Sequence, residues 1–215
     1  MEEILPGVFH WRTRHPNIGS EVDSWWLSDA GVLIDPLVPS QGGGLEWFAG
    51  QPTQPAAIVL SNRHHYRGSE AFRERFGCAV HVPRAGLHEF GADRQPVAAY
   101  DPGDELPGGL IVHEIDALCP DDMALHLPGA QAVFFADGVV GARGDAEGAL
   151  GFVPDALMDD PPRTKDGLLA SLRRLLEAVP DFRHVLMAHG GPVLEDGRSE
   201  LEALVAAGGR TAFQL

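Results

Sequence analysis

Residues 56–76 constrain the fold more than any other part of the chain. An apolar run, Ala56-Ala57-Ile58-Val59-Leu60, stops abruptly at Ser61-Asn62-Arg63-His64-His65-Tyr66-Arg67-Gly68, and a helical pattern follows over 70–76. A continuous apolar run with β-branched members is what a strand covered on both faces requires. The strand therefore lies inside a layered fold. Its polar carboxyl-terminal turn falls where folds that mix strands and helices bind ligands.

The flanking sequence supplies the layers. Residues 8–11, 24–27 and 31–34 read as strands, the last two as a hairpin around Asp29-Ala30. Gln41-Gly42-Gly43-Gly44 is a loop, 45–49 a short helix and 79–82 another strand. The helix over 70–76 presents Ala71, Phe72 and Phe76 on one face and ends near Gly77. Strands over 110–115, 123–127 and 132–135 follow. A helix over 165–179 carries Leu168, Leu169, Leu172, Leu175, Leu176 and Val179 on one side. Then come a strand over 184–187 and a closing helix over 199–207. Strands then a helix, twice over, predict an α+β domain spanning residues 1–215, an αββα sandwich of two mixed sheets with outer helices. The loop over 138–160 is long and rich in Gly and Asp, and loops of that length are functional or mobile, as a lid would be.

Composition narrows the partners. Lys and Arg total 16 against 31 Asp and Glu, a formal charge of −15. That balance excludes nucleic acid and anionic membrane surfaces, both of which need basic clusters. No apolar run approaches the roughly 20 residues of a membrane span. Met1-Glu2-Glu3-Ile4 begins no secretory signal, so a cytoplasmic protein is expected. Cys78 and Cys119 have neither ligand spacing nor a disulfide pattern and read as buried thiols.

Four landmarks occur in order: Val32-Leu33-Ile34-Asp35, the strand and turn over 56–68, Met123-Ala124-Leu125-His126-Leu127-Pro128 followed by 132–137, and Val185-Leu186-Met187-Ala188-His189-Gly190. Together they cover nearly the whole chain, which thereby resembles the metallo-β-lactamase superfamily, a group that includes glyoxalase II and lactonases. The resemblance implies the αββα fold and a site where two metal ions activate water and polarise a carbonyl. It places the family's ligand positions at Asn62, His64, Tyr66, Arg67, Leu118, Asp137 and His189. Only His64, Asp137 and His189 keep ligand chemistry. Leu118 has no donor atom, Arg67 has no lone pair to give, Asn62 offers only a carbonyl oxygen, and Tyr66 seldom ligates. A one-residue slip puts His65 in place of His64. The implied cofactor is thus either none or a single Zn or Fe ion on His64, Asp137 and His189.

The substitutions set further expectations. Arg67 is expected where a cation once sat, paired with Asp137, because a buried carboxylate needs a partner. Its fork of donors also suits an anionic ligand. Asp137, His64 and Tyr66 are the candidate catalytic groups; Arg67, Asn62, His65 and Trp25 are the candidate ligand-binding groups. Trp25 and Trp26 are adjacent on a strand and must face opposite sides, so at least one packs in the core. Asp121 and Asp122 read as solvent-facing turn carboxylates. His81, His88, His113, His126 and His184 read as structural, and Ser61 has no base arranged as a triad. The leading functional expectation is a hydrolase homologue, unconventional or inactive, that binds a small anionic or carbonyl ligand. The alternatives are a mononuclear metal hydrolase of an ester, thioester or lactone, and a scaffold or interaction protein. The expected partners are a small molecule and, as a homodimer, a second copy of the chain.

Overall fold

Alternation along the strands sorts the side chains into three apolar layers. The computed structural model describes residues 1–141 and 150–209. Seven strands lie side by side in chain order in the first sheet: β1 (Glu2–Leu5), β2 (Val8–Arg14), β3 (Glu21–Leu27), β4 (Val32–Ile34), β5 (Ala57–Val59), β6 (Ala79–Pro83) and β7 (Ala98–Tyr100). Pairing is antiparallel from β1 to β4 and parallel from β4 to β7. Helices α1 (Leu45–Ala49) and α2 (Ser69–Phe76) lie between β4 and β6 in the chain. In the second sheet β8 (Glu105–Leu106), β9 (Leu110–Glu114), β10 (Met123–Leu127) and β11 (Ala132–Phe135) are antiparallel. A two-residue ribbon of β12 (Val140–Gly141) and β13 (Leu150–Gly151) follows, then helix α3 (Pro161–Ala178). Strand β14 (His184–Met187) returns parallel to β11, and α4 (Gly197–Ala206) closes the described chain.

The central layer joins the sheets. Trp25, Val32, Ile34, Ala57 and Val59 from the first meet Val112, Leu125, Phe134 and Leu186 from the second. Their neighbours point outward: Trp26, Leu33 and Ile58 pack under Phe48 of α1 and Phe72 of α2. On the far side Ala124, Val133, Phe135, Val185 and Met187 pack under Leu168, Leu172 and Leu175 of α3 and Leu201 and Leu204 of α4. The result is the expected αββα sandwich.

Helix ends follow local chemistry. Gly77 adopts φ 73°, ψ 25° just past α2, the left-handed cap that glycine adopts without strain. Asp160 accepts a hydrogen bond from the Arg163 N–H at the start of α3. Two short strands, β1 and β7, form the first sheet's edges and β8 one edge of the second, and none carries a periodic signal long enough to read from sequence. The loop over 138–160 holds β12, β13 and a turn at Asp155–Leu157, and its residues 142–149 lie outside the described residues. Among the described residues no helix is long and apolar enough to cross a membrane.

Phe48 is the keystone of the outer layer. It is fully buried, with ring centroids 5.5 Å from Trp11, 5.7 Å from Trp26 and 5.1 Å from Phe72. Phe48→Ala is expected to cost about 3–5 kcal/mol in urea denaturation. Glu46→Ala, on the exposed side of the same helix, should stay within about 0.5 kcal/mol. Equal losses for the two would contradict the layer assignment.

Candidate active site

Several strand ends converge on one edge of the sandwich. Asp23 lies near the start of β3, Asp35 follows β4, and Ser61 and Asn62 follow β5. Asp122 precedes β10, Asp137 follows β11 and His189 follows β14. The backbone stitches them together: the Met123 N–H bonds the Ser61 carbonyl at 3.0 Å, and the Ala188 N–H bonds the Phe135 carbonyl at 2.9 Å.

After β5 the chain enters a 3-10 turn, Arg63–Tyr66, rather than a regular helix. Asn62 caps it, its Oδ1 accepting the His64 N–H at 3.0 Å. The backbone kinks at His65 (φ −91°, ψ 16°) and again at Arg67 (φ 39°, ψ −110°). These kinks turn His64 out to solvent and send His65 inward, where it is 3 % exposed. His65, not His64, is therefore the turn histidine that faces Asp137 and His189.

His65 bridges two carboxylates. Its Nδ1 donates to Asp35 Oδ2 at 2.9 Å, and its Nε2 lies 3.4 Å from Asp137 Oδ1. Asp35 is fixed in turn by the Ser61 N–H at 2.8 Å and by the Ser61 hydroxyl. Burial and the Arg67 charge push the imidazole pKa down, but Asp35 and Asp137 outweigh them and raise it to about 9. Burial would raise the Asp137 carboxyl, yet the charge and hydrogen bonds of His65 and His189 hold it well below the usual range. Asn62 Nδ2 adds a bond to Asp137 Oδ2 at 2.9 Å.

Arg67 does not pair with Asp137 as expected. Its Nη1 donates to the carbonyls of Asp23 at 3.0 Å and Asp35 at 3.1 Å, and its Nη2 lies 3.2 Å from His189 Nε2. The same Nε2 lies 3.3 Å from Asp137 Oδ1, and a guanidinium carries only donors, so the ring accepts from Arg67 when its proton sits on Nδ1 and donates to Asp137 when the proton sits on Nε2. Burial, opposed by Asp137, keeps the His189 pKa below its ordinary value, in keeping with a neutral ring. Arg67 and His65 together balance Asp35 and Asp137 in charge.

Other predicted groups lie elsewhere. The Tyr66 hydroxyl donates to Glu70 at 2.5 Å and accepts from Arg73 at 2.9 Å, held in the outer layer beside α2. Trp25 is buried between the sheets, stacked on His10 at 4.5 Å between centroids. Leu118 packs against the α3 side of the second sheet. Asp121 and Asp122 are buried, not solvent-facing. Asp121 holds the Arg63 N–H at 2.7 Å and pairs with its guanidinium. Asp122 accepts the Asp137 N–H at 3.3 Å, and burial and the Asp137 charge raise its pKa well above the ordinary value.

Two groups that shape the site went unassigned in the sequence. Asp35 was visible as a polar end to an apolar strand, though not as a partner of His65. Asp23 gave no signal. Its Oδ2 accepts the N–H groups of Gly190 and Gly191, both at 3.0 Å, while His10 and Arg12 hold Oδ1 at 2.7 and 2.9 Å. It thus fixes the turn that carries His189.

A family model described as the metallo-beta-lactamase superfamily matches residues 4–208. The chain belongs to that superfamily. Solved structures agree on the fold. A metallo-beta-lactamase family protein from Thermus thermophilus is 20% identical, with a TM-score of 0.69, covering 95% of this chain and 80% of its own. A metallo-beta-lactamase from Pontibacter korlensis is 17% identical with a TM-score of 0.70, covering 95% and 97%. TTHA1623, solved in a di-iron-bound form, is 22% identical with a TM-score of 0.59, covering 89% and 92%. No curated protein sequence matches the chain.

The family's pair of ions does not fit the residues present. Among the described residues, the site's one cluster with the spacing to hold an ion is His65, Asp137 and His189, whose donor atoms lie within 4.8 Å of one another. Three such ligands form a mononuclear set; two ions sharing a bridging ligand need more. The three are, moreover, already engaged: Asp137 Oδ1 lies between His65 Nε2 and His189 Nε2, and the Arg67 guanidinium lies against His189.

The charge on His65 has a measurable signature. A raised folded-state pKa contributes stability that is complete below 6.5 and is lost as pH rises through about 9. Denaturant stability should therefore fall across that window. Asp35→Asn should flatten the fall and lower the His65 midpoint read by NMR. A midpoint at or below 6.5 in the unaltered protein would refute the assignment.

Proposed function

We propose that this superfamily member works without the family's metal pair, as an unconventional or inactive hydrolase homologue whose strand-end site binds a small anionic or carbonyl-bearing ligand. One observation carries the reading: the Asp137 carboxylate is already held by His65 and Asn62, and His189 Nε2 lies between Asp137 and the Arg67 guanidinium. A site whose charges and lone pairs are matched internally has no need of an ion to be stable.

Ligand recognition falls to Arg67, the partly exposed donor of the set: a carboxylate, phosphate or polarised carbonyl accepts N–H groups of the kind a guanidinium carries, whereas Asn62 and His65 are buried and already bonded to Asp137 and Asp35. Unaided hydrolysis, by contrast, is poorly served. The obvious general base is Asp137, and a carboxylate held well below the usual pKa range is a weak base at neutral pH.

The convergence of three donors keeps one second reading: a mononuclear hydrolase of an ester, thioester or lactone. In that reading His65, Asp137 and His189 would hold one Zn or Fe ion, which would supply Lewis acidity.

Metal analysis of protein purified without chelators separates the two. The proposal expects less than about a tenth of an equivalent of Zn or Fe, since a structural-strength site would retain its ion. It also expects a rise in melting temperature with inorganic phosphate or small carboxylates, about 2.7 kcal/mol at a hundredfold excess over Kd. Near-stoichiometric metal that disappears in His65→Ala would establish the mononuclear hydrolase instead. No response to any anion would remove the ligand.

A further inference from the structure

The β2–β3 hairpin runs past the rest of its sheet. Its ladder continues to Arg14 opposite Glu21, whereas β4 meets β3 no further than Ile34 opposite Trp25, and β1 meets β2 no further than Glu2 opposite His10. Among the described residues the two strands thus project without a third. The projection is anchored at its base, where the Asp23 N–H bonds the Ala188 carbonyl at 2.9 Å, one residue before His189. It is closed at its tip, where the His15 N–H bonds the Ser20 carbonyl at 2.7 Å and the Gly19 N–H bonds the His15 carbonyl at 2.9 Å.

His15 lies on the inner face of that projection. Trp11 and Thr13 are buried and Arg12 and Arg14 exposed, so the alternation carries His15 to the Trp11 side. Arg67 approaches the same side. The Trp11 indole N–H donates to the Leu37 carbonyl at 2.8 Å, and the carbonyl just before it, that of Pro36, accepts the Gly68 N–H at 2.9 Å. One bracket thus joins β2 to the turn that carries Arg67. From there the guanidinium reaches the carbonyl of Asp23, which stands opposite Arg12 in the ladder. His15 is three residues further, about 10 Å of strand.

The imidazole offers a donor that the protein does not use. Its Nδ1 accepts the Asn17 N–H at 3.3 Å, which leaves the proton of a neutral ring on Nε2. Among the described residues that Nε2 has no hydrogen-bond partner. Burial, then the charge of Arg67, then His189 and His65 hold the His15 pKa below its ordinary value, so the ring is neutral at neutral pH and lies within the field of the guanidinium. We infer that His15 is the second arm of the ligand site: its Nε2–H and the Arg67 guanidinium grip one carboxylate or phosphate head group between the hairpin and the turn before α2. The inference rests on the reading that this site takes an anionic ligand through Arg67. An oxyanion offers acceptors on more than one side, and a guanidinium whose Nη1 is held by two carbonyls orients it from one side only. A neutral imidazole adds the opposing hydrogen bond without placing a second cation beside Arg67 while the site is empty.

The test is binding of inorganic phosphate and of acetate, by calorimetry, in the unaltered protein, in His15→Ala and in His15→Gln, with NMR of the histidine rings alongside. His15 is half-buried at the end of a hairpin, so both variants should keep the melting temperature of the ligand-free protein. His15→Ala should weaken binding by about 10-fold or more, the range for a hydrogen bond to a charged group. His15→Gln keeps an N–H donor and should bind more tightly than His15→Ala. In the unaltered protein, saturating phosphate should raise the His15 pKa, because an anion beside the ring favours its charged form.

An affinity unchanged in His15→Ala overturns the second arm while leaving the proposed function standing. A His15→Gln protein that binds no better than His15→Ala assigns the loss to packing and overturns it as well. So does a His15 pKa that phosphate saturation fails to raise, a measurement that needs no variant to fold. Absence of anion binding by the unaltered protein overturns both the second arm and the reading beneath it.

Discussion

A carboxylate largely withdrawn from water has to be matched by positive charge or hydrogen-bond donors, and the arrangement around Asp137 follows from that requirement. In a metallo-β-lactamase fold the match is ordinarily metallic. In this chain it is assembled from side chains: His65 on one oxygen, Asn62 on the other, and Arg67 at the neighbouring histidine. Each of these needs its own support. His65 keeps its proton because Asp35 faces its other nitrogen, and Asp35 keeps its orientation because Ser61 binds both of its oxygens. The site is a chain of dependencies that ends in the backbone.

Those dependencies hold only because the sandwich places distant strand ends side by side. The parallel pairs β4–β5 and β11–β14 bring their carboxyl ends to the same edge, which delivers Asp35, Asn62, Asp137 and His189 together. Asp23 locks the arrangement from β3 by capturing two consecutive N–H groups beyond His189. It does so with His10 and Arg12 at its back, so a fully buried charge is matched within the sheet that carries it.

Much of this was legible in the sequence, for definite reasons. The buried strand over 57–59 and the helix behind it were visible because their periodicities differ. Asp137 and His189 were visible because each ends an apolar strand in a polar residue. The choice between His64 and His65 was not, since it depends on one kinked residue in a 3-10 turn that follows neither period. Tyr66 misled for a related reason: Glu70 and Arg73 lie about one and two helical turns further on and draw its hydroxyl away from Asp137. Asp23's hold on the His189 turn was invisible because the two N–H groups it captures are 167 and 168 residues away, a separation that no local pattern encodes.

The contact between Gly141 and Gly190 has a mechanical consequence. A Cβ on Gly190 would come within 2.5 Å of the Gly141 Cα, and the Gly141 N–H bonds the His189 carbonyl at 2.9 Å. Two backbones therefore touch with no side chain between them to absorb a shift. The hinge of a moving part needs slack, and this joint has none: His189 and β12 travel as one piece. Whatever displaces the imidazole, whether an anion or an ion, also pulls on the ribbon that follows Asp137.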